Sequence, residues 1–191
     1  PRWSPDGSQI AFSSAMGQTV YFARNTRIAI VSATGGTPRS VTNGFDENPG
    51  IVEWNASGIL FSGSQKTELH LFRVDPGTAA ITKLSGNVPA MLGGVTLTTD
   101  GRTVAMTLSS PTALPELYVS TLGSWSPRKL TSFTEQVSGW QLASREVISW
   151  KSKDGATIEG VLMKPANFDP AKKYPLLCVI HGGPTGIDRP A

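Results

Sequence analysis

The sequence predicts a mainly β chain: a partial β-propeller of about three four-stranded blades over residues 1–140, then the opening strands of an α/β domain over residues 141–191. Three observations predict it. Turn glycines recur at Gly7, Gly58 and Gly101, spaced 51 and 43 residues apart. A second hairpin pattern follows each of them. After the third unit the repeat fails, and a continuously apolar run ends the chain.

The first hairpin of each unit is "WSPDGSQIAFSS" from Trp3, "WNASGILFSGS" from Trp54 and "LTTDGRTVAMTLSS" from Leu97. Each enters through an apolar residue, turns at glycine and leaves as an alternating strand ending in serine. Asp6-Gly7 and Asp100-Gly101 are strong hairpin signals, because such turns need the positive φ that glycine adopts without strain. The second elements are "RIAIVSATGGTPRSVT", "LHLFRVDPGTAAITKLS" and "ELYVSTLGSWSPRKLT". Each is an alternating strand, a Gly or Pro turn, and a strand ending in a basic residue, an apolar one and Thr or Ser. Four short strands in roughly 45 residues is the period of a propeller blade. A blade cannot bury both faces alone and must stack on its neighbours. The competing fold is a β-sandwich with coincidental spacing. The extra length of the first unit is assigned to an insertion around Met16 to Asn25, in a loop that tolerates it.

Composition narrows the function classes. Of 191 residues, 39% are hydrophobic and 16% charged, with 20 Gly, 14 Pro and a net charge of +3. This suits a folded, weakly charged chain with many turns. Lys and Arg are scattered without a basic stripe, so nucleic-acid binding has no support. Cys178 is the only cysteine; no internal disulfide can form, no metal cluster has its ligands, and burial in an apolar run is expected of it. No segment has the roughly 18 apolar residues of a membrane helix. Localisation and oligomeric state are open.

The pattern changes between Ser138 and Glu146. Glu146 to Lys151 and Thr157 to Lys164 read as two alternating strands around Lys153-Asp154-Gly155, without the aromatic entry or serine exit of the blades. "ANFDPAKKYP" reads as a surface linker. Leu176 to Ile180, "LLCVI", reads as a strand covered on both faces, as in an α/β sheet.

His181-Gly182-Gly183-Pro184 directly follows that run. Ligands of α/β sheets collect at the carboxyl ends of strands. Two glycines without side chains let backbone N–H groups approach a small anion. In α/β-hydrolases an HGGG-type loop after an early strand supplies one oxyanion-hole N–H, the other following the nucleophile. Losing one such donor costs about 2.7–4 kcal/mol of barrier. The plainer reading of the loop is a turn that needs positive φ.

The stretch "DGATIEGVLMKPANFDPAKKYPLLCVIHGGPTG" resembles the start of the catalytic domain in the prolyl oligopeptidase family of serine peptidases, which pair a β-propeller with an α/β-hydrolase domain. The likeness covers Val147 to Gly186 closely and the blades more loosely; the acylaminoacyl-peptidase-like and dipeptidyl-peptidase-like branches share the HGGP form. It implies hydrolysis of short peptides by a Ser-Asp-His triad, with the propeller restricting access and no cofactor. For this chain it implies the backbone of Gly182 or Gly183 as oxyanion donor, with His181 and Pro184 shaping the turn.

No G-x-S-x-G occurs in the sequence, and in α/β-hydrolases all three triad residues follow the oxyanion loop. None of the triad is therefore expected among these residues, and the chain alone is expected to be inactive. His70, in "ELHLFRV", reads as a structural strand residue. Asp188 lies too close to the loop to be the triad acid. Asp46-Glu47, in "NGFDENPG", read as a solvated inter-blade loop rather than a pair holding a substrate N-terminus. Three blades do not close a ring and a lone apolar strand leaves its backbone unpaired, so the chain is expected to be a piece of a longer protein. Two other readings remain: a non-catalytic propeller that binds a protein partner and carries a degenerate hydrolase tail, and an esterase or lipase with the same loop.

Overall fold

The structure, a computed structural model, describes residues 1–19, 24–86, 91–183 and 186–190. Part of the expected insertion, residues 20–23, lies outside the described residues.

Twelve strands form three antiparallel units of four, in the order the repeat predicts. The first unit is β1 (Arg2–Trp3), β2 (Gln9–Ser14), β3 (Arg27–Ser32) and β4 (Arg39–Ser40). The second is β5 (Gly50–Asn55), β6 (Gly58–Gln65), β7 (Glu68–Val74) and β8 (Ile81–Lys83). The third is β9 (Met91–Leu97), β10 (Thr103–Ser110), β11 (Ala113–Thr121) and β12 (Ser124–Lys129). One parallel pairing, Leu69 with Met91, joins the second and third units into a single eight-stranded sheet.

The turns form where the sequence places them, for a reason visible in their side chains. Gly7, Gly58 and Gly101 take φ of 71°, 128° and 66°. At the first, the Ser4 hydroxyl donates to Asp6 Oδ1 over 2.6 Å and the Ser8 N–H donates to the same oxygen over 3.0 Å. At the third, Thr98 Oγ1 and the Arg102 N–H do the same to Asp100, over 2.5 and 3.0 Å. The aspartate thus replaces part of the backbone pairing that a tight turn gives up.

Alternation along the middle unit decides how the blades stack. In β6, Ile59 and Phe61 point to one side and join Ala11, Ile28, Ile30 and Val41 of the first unit; Leu60 points to the other and joins Leu92, Val104 and Met106 of the third. In β7, Phe72 and Val74 share the side of Phe61, and Leu71 shares that of Leu60. A strand of period two with both faces covered needs apolar residues at every position, which is why "GILF" runs unbroken. Each such side chain contributes on the order of 1.5–3 kcal/mol by leaving water. This is stacking of three blades side by side, and not the two-layered sandwich. The partial propeller holds.

Phe45 is the departure within the blades. It lies in the loop read as polar, yet it is buried, with its ring edge-on to Phe61 and Phe72 at 5.1 Å from each.

A short 3-10 helix, Phe133–Val137, follows β12 and leads to the hairpin β13 (Ser144–Lys151) and β14 (Thr157–Lys164). Its Ser132 cap makes no side-chain hydrogen bond. Glu116 of β11 supplies the missing acceptor: its carboxylate takes the Thr131 hydroxyl at 2.5 Å, the Phe133 N–H at 2.9 Å and the Thr134 N–H at 2.7 Å. Burial alone would raise the Glu116 pKa, but these donors overcome it and hold the group down to about 2.

Leu176–Ile180 corrects the sequence reading. The run forms no strand, and Leu176, Leu177 and Ile180 are 82%, 85% and 87% exposed. Cys178, expected to be buried, is exposed as well. A buried parallel strand exists only between neighbours that complete its hydrogen-bond ladder, and among the described residues no strand pairs with it. Among the described residues, no helix is long and apolar enough to cross a membrane.

Candidate functional site

The approach to the glycine bend is ordered by local contacts. After β14, Phe168 and Tyr174 stack with centroids 5.1 Å apart, Lys164 lies over the Phe168 ring, and the Asp169 N–H donates to the Tyr174 hydroxyl at 3.0 Å. Lys164 also pairs with Glu146 across the β13–β14 ladder at 2.7 Å. The extended run 176–180 then leads to the bend itself.

His181, Gly182 and Gly183 are all exposed. Gly183 has φ of 137°, in the region that side chains disfavour, so the glycine is required by the backbone path. His181 Nδ1 lies 3.3 Å from the Gly182 carbonyl oxygen, which a protonated Nδ1 can reach as donor. Among the described residues, no acceptor takes the backbone N–H of Gly182 or Gly183. Pro184 lies outside the described residues.

Beyond the bend, the chain returns to the second blade. Arg189 Nη2 donates to Ser64 Oγ at 2.7 Å, while Arg189 Nε is buried without an acceptor among the described residues. Glu47 is half-buried nearby, contrary to its reading as a solvated loop residue. Burial raises its pKa, Asp46 raises it further, and the Arg189 charge opposes both. Asp46 itself accepts from Gln65 Nε2 at 3.2 Å, and Asp188 is exposed. Sequence reasoning passed over Arg189 and Ser64; a lone arginine in a glycine- and proline-rich tail carries no periodic signal.

His70 is buried inside the second blade, as a structural strand residue should be. Its Nδ1 lies 3.1 Å from Ser85 Oγ and its Nε2 lies 2.7 Å from Glu68 Oε2. The Ser-His-Glu geometry looks catalytic, but Ser85 is buried and its oxygen accepts the Leu71 N–H at 3.0 Å. Ser85 can donate to His70 Nδ1, while Nε2 faces both the Glu68 carboxylate and, at 3.2 Å, the Lys83 ammonium. An open groove lies elsewhere, between the β10–β11 turn, the end of β12 and the 3-10 helix, lined by Lys129, Glu135, Trp140 and Leu142 among others, and it does not include the bend. No group of three or more His, Cys, Asp or Glu among the described residues could hold a metal ion.

No family model matches the chain. It is 28% identical over 201 residues to dipeptidyl-peptidase 5 of Aspergillus fumigatus, covering 97% of this chain and 26% of that protein. It is 26% identical over 198 residues to dipeptidyl-peptidase 5 of Schizosaccharomyces pombe, covering 97% and 27%. Among solved structures, it is similar to the acylaminoacyl peptidase of Pyrococcus horikoshii at a TM-score of 0.68 and 15% identity, covering 89% of this chain and 25% of that one. The chain spans about a quarter of the length of the curated relatives it matches. These likenesses bear out the resemblance to prolyl-oligopeptidase-family peptidases.

Proposed function

We propose that this chain, similar in sequence and fold to prolyl-oligopeptidase-family peptidases, is a segment of a serine peptidase that hydrolyses short peptides through an acyl-enzyme. The observation that carries the proposal is the likeness to dipeptidyl-peptidases 5 over 97% of the chain, which runs through the glycine bend. The exposure of Gly182 and Gly183, whose amides meet no acceptor among the described residues, supports it.

On this reading residues 1–140 are the last blades of a propeller that restricts access, and residues 141–191 open the peptidase domain. A serine outside these residues attacks the peptide carbonyl, with a histidine taking its proton. The carbonyl oxygen gains negative charge as the tetrahedral intermediate forms. Gly182 or Gly183 donates its N–H to that oxygen, while the residue after the nucleophile donates the second. A rigid dipole already in place stabilises the charge without reorganising when it appears. The chain by itself performs no hydrolysis.

The test is an assay of the complete protein on dipeptidyl and N-acyl-aminoacyl p-nitroanilides beside simple esters of similar size. Amide turnover supports the peptidase. Turnover of esters alone points to an esterase, and turnover of neither supports a non-catalytic propeller.

A further inference from the structure

On the far side of the glycine bend, Gly186 lies close against the Gly182 carbonyl and the His181 ring. The run before it, Leu176–Ile180, pairs with no strand among the described residues. An oxyanion donor must nonetheless be fixed closely, because its benefit depends on being aimed before charge develops.

Two contacts flank the bend in the chain, and both land at the tip of the β6–β7 hairpin. From the N-terminal side, Lys66 Nζ meets Glu159 Oε1 of β14 at 2.6 Å. From the C-terminal side, Arg189 Nη2 donates to Ser64 Oγ at 2.7 Å. The two contacts differ in character. Lys66 is 77% exposed, so its ion pair is screened and contributes little. Ser64 is buried and Arg189 Nε is withdrawn from solvent. Arg189 is also the nearest anchored side chain after Gly183 among the described residues. Six residues reach at most about 20 Å, so holding Arg189 bounds where Gly183 can go. Gly186 and Ile187, between them, are already half-buried.

We infer that Arg189 is a positioning residue for the glycine bend, fixing the segment after Gly183 to the second blade through Ser64. The catalytic meaning of this dock rests on the proposed peptidase function; the dock itself does not. Arg189 touches no reacting atom on this account. It couples propeller to bend, so a shift of the second blade moves the oxyanion donors.

Two readouts separate the dock from the peptidase reading. In the 191-residue chain, 15N relaxation reports order at Gly186 to Asp188. Order parameters near about 0.85 are expected, falling below about 0.6 in Arg189→Gln and in Ser64→Ala. The double variant should fall no further than either single one, while β6 and β7 amides stay unchanged. Flexible residues in the unaltered chain, or order untouched by either substitution, would overturn the dock. In the complete protein, Arg189→Gln should lower kcat about ten- to a hundredfold with KM little changed, as for a misplaced group acting in the transition state. Arg189→Lys, which keeps a donor for Ser64, should recover part of it. A change in KM alone, or no rescue by lysine, would overturn the positioning role. An unaltered protein without turnover would sink the peptidase reading and leave the relaxation result to decide the dock.

Discussion

Gly63 and Phe45 pack so closely that a β-carbon at position 63 would lie 2.6 Å from Phe45 Cε1. The missing side chain in β6 is the space that the ring fills. Gly63→Ala should therefore destabilise the chain by about 1–3 kcal/mol, the usual cost of overpacking. Urea denaturation measures it, and pairing the change with Phe45→Leu should recover a substantial part. Independent, additive losses would show that the ring does not occupy this space.

The buried His70 predicts a pH dependence. Burial pushes its pKa below the ordinary 6.5; Glu68 pulls it up and Lys83 pushes it down. The unfolded chain then takes up a proton near pH 6.5 that the folded chain still refuses. Stability from this group is complete above 6.5 and is lost as pH falls below it towards the folded value. Wild-type stability should drop between pH 7 and pH 5.5, and His70→Gln should flatten that slope. Parallel curves would contradict the assignment.

Glu116 gives a second window at lower pH. With its pKa held down to about 2 against an ordinary 4.5, it stabilises fully above 4.5 and loses the contribution as pH falls through about 2. Glu116→Gln should lower the Tm by several degrees at pH 7, with the gap to wild type closing at the acid end. Limited proteolysis should meanwhile accelerate between Phe133 and Trp140. A constant gap across pH would place the stabilisation elsewhere.

The exposed run Leu176–Ile180 predicts self-association, since contiguous apolar surface promotes it. Leu177→Lys together with Ile180→Lys should lower the apparent mass in concentrated solution, read by analytical ultracentrifugation. The blades should keep their Tm, because the run packs against none of their cores.

Blade architecture was legible in the sequence because its signals are local. Asp6-Gly7 and Asp100-Gly101 declare their turns, and the strands on either side alternate with period two. The hairpin after the blades was legible to within two residues for the same reason. It even repeats the hydroxyl–aspartate turn of the blades, Ser152 donating to Asp154 beside Gly155 at φ 84°. Phe45 was misread because one aromatic in a polar loop shows no period; the glycine at 63, between two serines of β6, was its trace. Leu176–Ile180 was misread because an apolar run states what a segment would bury, and not whether neighbours exist to bury it. The bend at Gly182-Gly183 was visible as chemistry, but its tether through Arg189 joins residues 125 positions apart in the chain and has no local mark.

The most direct test of the peptidase account is labelling of the complete protein with a fluorophosphonate, followed by mapping of the modified residue. The account predicts one phosphonylated serine, in a G-x-S-x-G sequence C-terminal to Gly183 and outside these 191 residues, with peptide-amide hydrolysis lost in proportion to labelling. Hydrolysis that survives complete labelling, or no labelled serine at all, would contradict it.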